Sequence, residues 1–76
     1  MLNYKNIIES NHKIMLGKPV VKGTRITVEL ILKKISEGAT VPEILEMYPN
    51  LTPEHIYACL DYASDVISKE EILELA

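Results

Sequence analysis

Gly17-Lys18-Pro19-Val20-Val21-Lys22-Gly23-Thr24-Arg25 is the stretch on which the reading of this chain turns. Its nine residues wrap two glycines, a proline and three cations around a pair of β-branched residues. A helix interior does not tolerate that mixture: glycine opens backbone angles closed to other residues, and proline removes a donor and fixes φ. The stretch therefore reads as tight, irregular backbone carrying Lys18, Lys22 and Arg25, with Gly23 turning the chain and Ile26 re-entering the core.

Toward the N-terminus, Ile7-Ile8 lies between polar neighbours and predicts a short edge strand within residues 1–11. His12-Lys13-Ile14-Met15-Leu16 and Pro19-Val20-Val21 are further strand candidates separated by Gly17, and Pro19 belongs at an edge or a strand start because it donates no ladder bond. Toward the C-terminus the pattern turns helical. Thr27 caps a first helix over 28–37, in which Val28, Ile31, Leu32 and Ile35 fall on one face and Gly38 follows the last turn. Thr40-Val41-Pro42-Glu43 has the spacing of a capping box and opens a second, short helix with Val41, Ile44, Leu45 and Tyr48 inward. Pro49-Asn50 stops it. Thr52-Pro53 caps a third helix that buries Ile56, Cys59, Leu60 and Ala63. Ser68-Lys69-Glu70-Glu71 repeats the capping-box spacing and predicts a separate tail helix carrying Ile72, Leu73 and Leu75.

Two short helices joined by a tight, capped turn match helix-turn-helix spacing. The expected fold is mainly α: a single domain over 1–76, with a β segment over 1–26, a trihelical helix-turn-helix unit over 27–66 and a C-terminal tail helix over 67–76.

Charge and size narrow the function. Residues 1–36 hold seven Lys/Arg against two Asp/Glu, a net +5, and residues 37–76 hold one lysine against nine Asp/Glu, a net −8. Two differently charged faces, and two kinds of partner, are the expectation. A 76-residue chain buries only about 60% of its unfolded surface. One cysteine allows no internal disulfide, so 47% apolar residues predict a homodimer that completes the core. No apolar run approaches the roughly 18 residues of a membrane span, no signal-peptide pattern opens the chain, and the lone cysteine suits a reducing compartment. A cytoplasmic protein without a membrane partner is expected.

Gly17-Lys18-Pro19-Val20-Val21-Lys22-Gly23-Thr24-Arg25-Ile26-Thr27-Val28 resembles the signature of the bacterial family called domain of unknown function 433. The resemblance continues through Gly38, Ile44-Leu45, Tyr48-Pro49, Leu51-Thr52 and Ile56 to Ala58, Leu60 and Ala63, covering roughly residues 12–65. Many relatives carry Cys-Gly-Gly where this chain has Met15-Leu16-Gly17, and proline where it has Thr27. The resemblance implies a homeodomain-like trihelical unit with an N-terminal β segment, dimeric, and an antitoxin-like partner of a PIN-like ribonuclease.

Lys18, Lys22 and Arg25 are the candidate phosphate contacts, since cations on a β turn can follow a nucleic-acid backbone. Six such contacts in a dimer correspond to a log K versus log salt slope of about −5 on duplex DNA. Arg25 has a structural alternative, pairing with a carboxylate across the dimer. At the start of the third helix, Thr52, His55 and Tyr57 are the candidate base contacts, but no Arg or Lys lies between residues 35 and 68. An acidic helix is repelled by phosphates, so Glu37, Glu43, Glu46, Glu54, Asp61 and Asp65 suit a basic protein surface better. His55 and Cys59 are four residues apart, yet two ligands do not make a metal site, and Cys59 reads as core. No nucleophile–base pair or phosphate-binding loop is visible. The expectation is a protein without catalysis, cofactor or metal: an antitoxin-like adaptor that binds and neutralises a PIN-like ribonuclease and represses its own operator DNA. The alternative is a stand-alone helix-turn-helix transcriptional regulator.

Overall fold

The computed structural model describes residues 4–70. A 3-10 turn at Tyr4–Asn6 leads into β1 (Ile8–Glu9), and β2 (Val20–Val21) pairs with it antiparallel, Ile8 opposite Val21 and Glu9 opposite Val20. Three helices follow: α1 (Val28–Ser36), α2 (Val41–Met47) and α3 (Pro53–Glu70). The protein is mainly helical with one small two-stranded sheet. Among the described residues no helix is long and apolar enough to cross a membrane.

The basic stretch is folded by its own turn chemistry. Thr24 N–H donates to Val21 C=O at 3.0 Å, and Gly23 takes φ 82° at the third position while Lys22 stays at negative φ. That combination defines a type II turn, in which only glycine sits without strain. Thr24 Oγ1 donates to Val21 C=O at 2.7 Å and accepts the Ile26 N–H at 3.0 Å, closing the turn from within. Beyond it Thr27 bridges back to Val20, and Val28 N–H donates to Pro19 C=O at 2.9 Å. The start of α1 is thus tied to the β segment, and Val20 and Val21 are both fully buried.

Helix punctuation follows local sequence. Thr27 Oγ1 accepts Leu30 N–H at 3.0 Å, and Gly38 continues past α1 at φ 101°. Thr40 and Glu43 form a reciprocal capping box: Glu43 Oε1 accepts Thr40 N–H at 2.8 Å, and Thr40 Oγ1 accepts Glu43 N–H at 3.3 Å. The Thr40 amide first, and then the Thr40 hydroxyl donating to the same Oε1 at 3.1 Å, hold the Glu43 carboxyl below its ordinary range. The three helices and β1 converge on a core of Ile8, Val21, Val28, Ile31, Ile44, Leu51, Ile56, Ala58 and Cys59. Ile31, Ile44 and Ile56 are fully enclosed, each worth roughly 1.5–3 kcal/mol of burial.

Three expectations are corrected. Residues 12–16 are no strand. Asn11 makes an Asx turn, its Oδ1 accepting Lys13 N–H at 2.8 Å, and Met15–Gly17 close a left-handed turn with φ of 48°, 57° and 86°. Each L residue held there costs about 1–2 kcal/mol. No separate helix starts at Ser68 either: α3 runs through it to Glu70, and Ser68 Oγ donates back to Asp65 C=O at 2.9 Å. A hydroxyl can bond the preceding turn as readily as cap a new one, so the capping-box spacing lost to helix continuation. Ile72, Leu73 and Leu75 lie outside the described residues. Finally, Leu60 points outward and Ala58 takes the buried place, because the face of α3 that meets α1 and β1 holds Ile56, Ala58 and Cys59.

Candidate interaction surfaces

The N-terminal surface is built from two adjacent turns, Asn11–Gly17 and Lys22–Arg25. Ile14 lines a small concavity with Gly23, Thr24 and Arg25, which sets the turns side by side. Lys13, Lys22 and Arg25 are exposed, and none of them has an ion pair among the described residues. Lys18 differs: its Nζ donates to Glu29 Oε1 at 3.0 Å in an exposed pair, worth at most about 1 kcal/mol. Of the three expected phosphate contacts, Lys22 and Arg25 are without an ion pair among the described residues, and Lys18 is engaged by Glu29.

The split of charge along the sequence is narrower in space. Lys33 pairs with Glu37 at 3.9 Å, Lys34 lies against acidic residues, and Lys5 sits close enough to Asp65 to lower its carboxyl. The cationic surface shrinks to the two turns.

The acidic candidates fall into three settings. Glu37, Glu43 and Glu46 line one shallow groove of about 480 Å³ where α1 meets α2, with Lys34 and Met47 at its edge. Glu54 and Asp61 are exposed on the outer side of α3. Asp65 is engaged by the chain's own side chains: Tyr4 Oη donates to its Oδ2 at 2.5 Å, and Lys69 Nζ lies at 3.2 Å on the same oxygen. The Tyr4 bond chiefly, and Lys69 after it, holds the Asp65 carboxyl below its usual range, while the same bond pushes the Tyr4 phenol up to about 12. Tyr4 also meets Tyr62 edge-on, ring centroids 5.4 Å apart.

At the start of α3, Thr52 and Tyr57 are exposed and His55 is half-buried. His55 Nδ1 accepts Thr52 N–H at 3.1 Å, filling the place a glutamate holds in a capping box. That bond commits Nδ1 to the helix terminus and leaves Nε2 as the only ring atom for a ligand. Cys59, four residues on, is buried, and burial pushes its thiol up to about 11. The pair serves a cap and a core site respectively.

Two features escaped the sequence reading. One is the outer side of α3, where Tyr57, Leu60 and Ile67 are 52%, 39% and 61% exposed. They recur at intervals of three and seven residues, so a second apolar stripe was there to be counted. The other is a mostly apolar groove of about 300 Å³ between α1 and α3, lined by Val28, Leu32, Tyr62, Ala63, Val66 and Ile67 together with Glu29. Its walls come from residues at least 30 positions apart, which no local pattern reveals.

No solved structure matches the chain. An uncharacterized protein of Sinorhizobium fredii (strain NBRC 101917 / NGR234), y4eO, is 36% identical over 59 residues, a span covering 78% of this chain and 27% of the relative. The chain spans about a quarter of that relative's length. The family model described as Protein of unknown function (DUF433) matches residues 8–63, the segment that contains the basic turn, the capping box and the core, and this protein belongs to that family.

Proposed function

We infer that this protein is a non-catalytic, antitoxin-like binding protein. It docks a basic protein partner of the PIN-like ribonuclease kind on its acidic helical side and uses its cationic turns on nucleic acid, its own operator included. The observation that carries this reading is the outer face of α3, where exposed Glu54 and Asp61 accompany Tyr57 and Leu60. Phosphates repel such a face, whereas a protein surface that is cationic at the rim and apolar at the centre complements it. A nuclease that holds RNA has a cationic surface of that kind, and covering it blocks substrate as well as neutralising charge. The acidic groove of Glu37, Glu43 and Glu46 extends the same sign onto α1 and α2. The apolar groove between α1 and α3 then serves a second copy of the chain, supporting a small core.

The test is co-expression of the tagged chain with the product of the adjacent reading frame. A basic product that co-elutes, and that Glu54→Lys with Asp61→Lys releases, is the expected result. A product that passes through unretained, or that the charge reversal leaves bound, overturns the assignment.

A second reading is favoured by one observation. Short α2 joins α3 through five residues, Tyr48–Thr52, and leaves Thr52 and Tyr57 exposed where a helix-turn-helix regulator contacts bases. On that reading Tyr57→Ala changes operator sequence preference and no protein partner is needed.

A further inference from the structure

Met15, Leu16 and Gly17 occupy the left-handed region in succession, two of them against the preference of L residues. The turn is locked from within, Gly17 N–H donating to Ile14 C=O at 3.0 Å and Lys18 N–H to Met15 C=O at 3.1 Å. What this conformation achieves is display. Leu16 is 91% exposed, with Met15 39% exposed beside it, so burial within the chain does not offset the strain at Leu16. Backbone outliers of this sort persist where function uses them.

The surroundings identify the ligand chemistry. Residues 10–28 contain Lys13, Lys18, Lys22 and Arg25 and no carboxylate. Of these, Lys13, Lys22 and Arg25 are exposed without an ion pair among the described residues, and the 22–25 turn adjoins the displayed tip through Ile14. An exposed apolar tip beside a cationic turn matches a surface that is anionic outside and apolar between its layers.

We propose that the Met15-Leu16 tip is a wedge that enters the base stack of duplex DNA, while Lys13, Lys22 and Arg25 hold the flanking phosphates. A duplex offers both halves of that match, phosphates on the rims and stacked bases between them, and a leucine inserted at a base step unstacks it. Pyrimidine–purine steps yield most easily. An anionic bilayer offers a similar contrast, but one leucine and one methionine carry far less hydrocarbon than even a single acyl chain, which anchors only marginally. The wedge rests on the nucleic-acid half of the reading above and adds to it the group that deforms the DNA.

The experiment uses a 2-aminopurine placed at a TA step of a short duplex, titrated at low salt with three proteins: wild type, Leu16→Gly, and Lys22→Ala with Arg25→Ala. Wild type should raise the fluorescence by unstacking the probe. Leu16→Gly should abolish that rise and weaken binding about tenfold with an unchanged salt slope, while its melting temperature increases because glycine relieves the left-handed strain. The double variant should flatten the salt slope. If the double variant binds weakly while Leu16→Gly binds and unstacks as wild type does, the wedge is wrong and the nucleic-acid reading survives. If wild type binds no duplex, both fall. Binding to phosphatidylserine vesicles in place of the duplex, lost in Leu16→Gly, reassigns the tip to membranes and overturns the proposal.

Discussion

Single side chains carry more of this fold than their number suggests. The Tyr4–Asp65 bond ties the first described residue to α3 across 61 positions, and it needs a protonated phenol and an ionised carboxylate together. Asp65 is held below its ordinary value, so its contribution is present above the usual carboxylate range near pH ~3.9 and is lost as pH falls below that range through the lowered folded value. Tyr4 is raised, so the same bond is intact below pH ~10 and is lost as pH climbs toward about 12. Tyr4→Phe keeps the edge-on contact with Tyr62 and deletes only the hydroxyl. Thermal melts should place the variant below wild type at neutral pH and show the two curves converging at both acidic and strongly alkaline pH. A constant gap across that range would mean the bond does not hold the N-terminal segment. Cys59 supplies a second residue-level outcome. A buried thiol with a value of about 11 is thiolate in only about one molecule in 10⁴ at pH 7. Iodoacetamide should leave the native protein unmodified and label it fully in denaturant, read by intact mass.

Among the elements, the capping boxes separate what local spacing can and cannot specify. Thr40 and Glu43 satisfy each other's amides, and α2 begins there. Ser68 has the same spacing to Glu71 but sits inside α3, its hydroxyl bonded backwards. Chemical denaturation should therefore show Thr40→Ala losing about 1 kcal/mol and Ser68→Ala changing stability by less than about 0.5 kcal/mol. Equal losses at the two sites would restore a helix start at Ser68. At Thr52 half of such a box is made by an imidazole, His55 accepting from the Thr52 amide, and a histidine does not announce itself as a cap. The left-handed turn at Met15–Gly17 was equally hidden, since Met and Leu are not residues that signal positive φ.

For the whole molecule, size sets the margin. A chain of 76 residues holds roughly 4–11 kcal/mol of stability in total. Ile56 is fully enclosed where α3 meets the rest of the core, and Ile56→Ala should cost about 3 kcal/mol. Circular dichroism should show a melting transition lowered by well over 5 °C, with a substantial unfolded fraction if the native protein lies at the weak end. The apolar groove between α1 and α3 makes the same argument from outside. Ile67→Asp places a carboxylate at its rim, and sedimentation should show a concentration-dependent dimer giving way to monomer. A wild-type protein that sediments as a monomer at every concentration would remove the second copy from the groove.

The starts of α1, α2 and α3, the inward faces of α1 and α2, a turn at Gly23 and the cationic character of residues 10–28 were all determined by the sequence alone. Each is settled within about one helical turn, where side chains compete directly for neighbouring amides and a glycine or proline excludes every alternative. Only the tertiary structure decided which cations remain without a carboxylate, whether Asp65 faces a partner or Tyr4, and that α3 carries apolar side chains on two sides. Those outcomes depend on which distant surfaces meet, and a charge or a leucine has no local preference that says what it will find there.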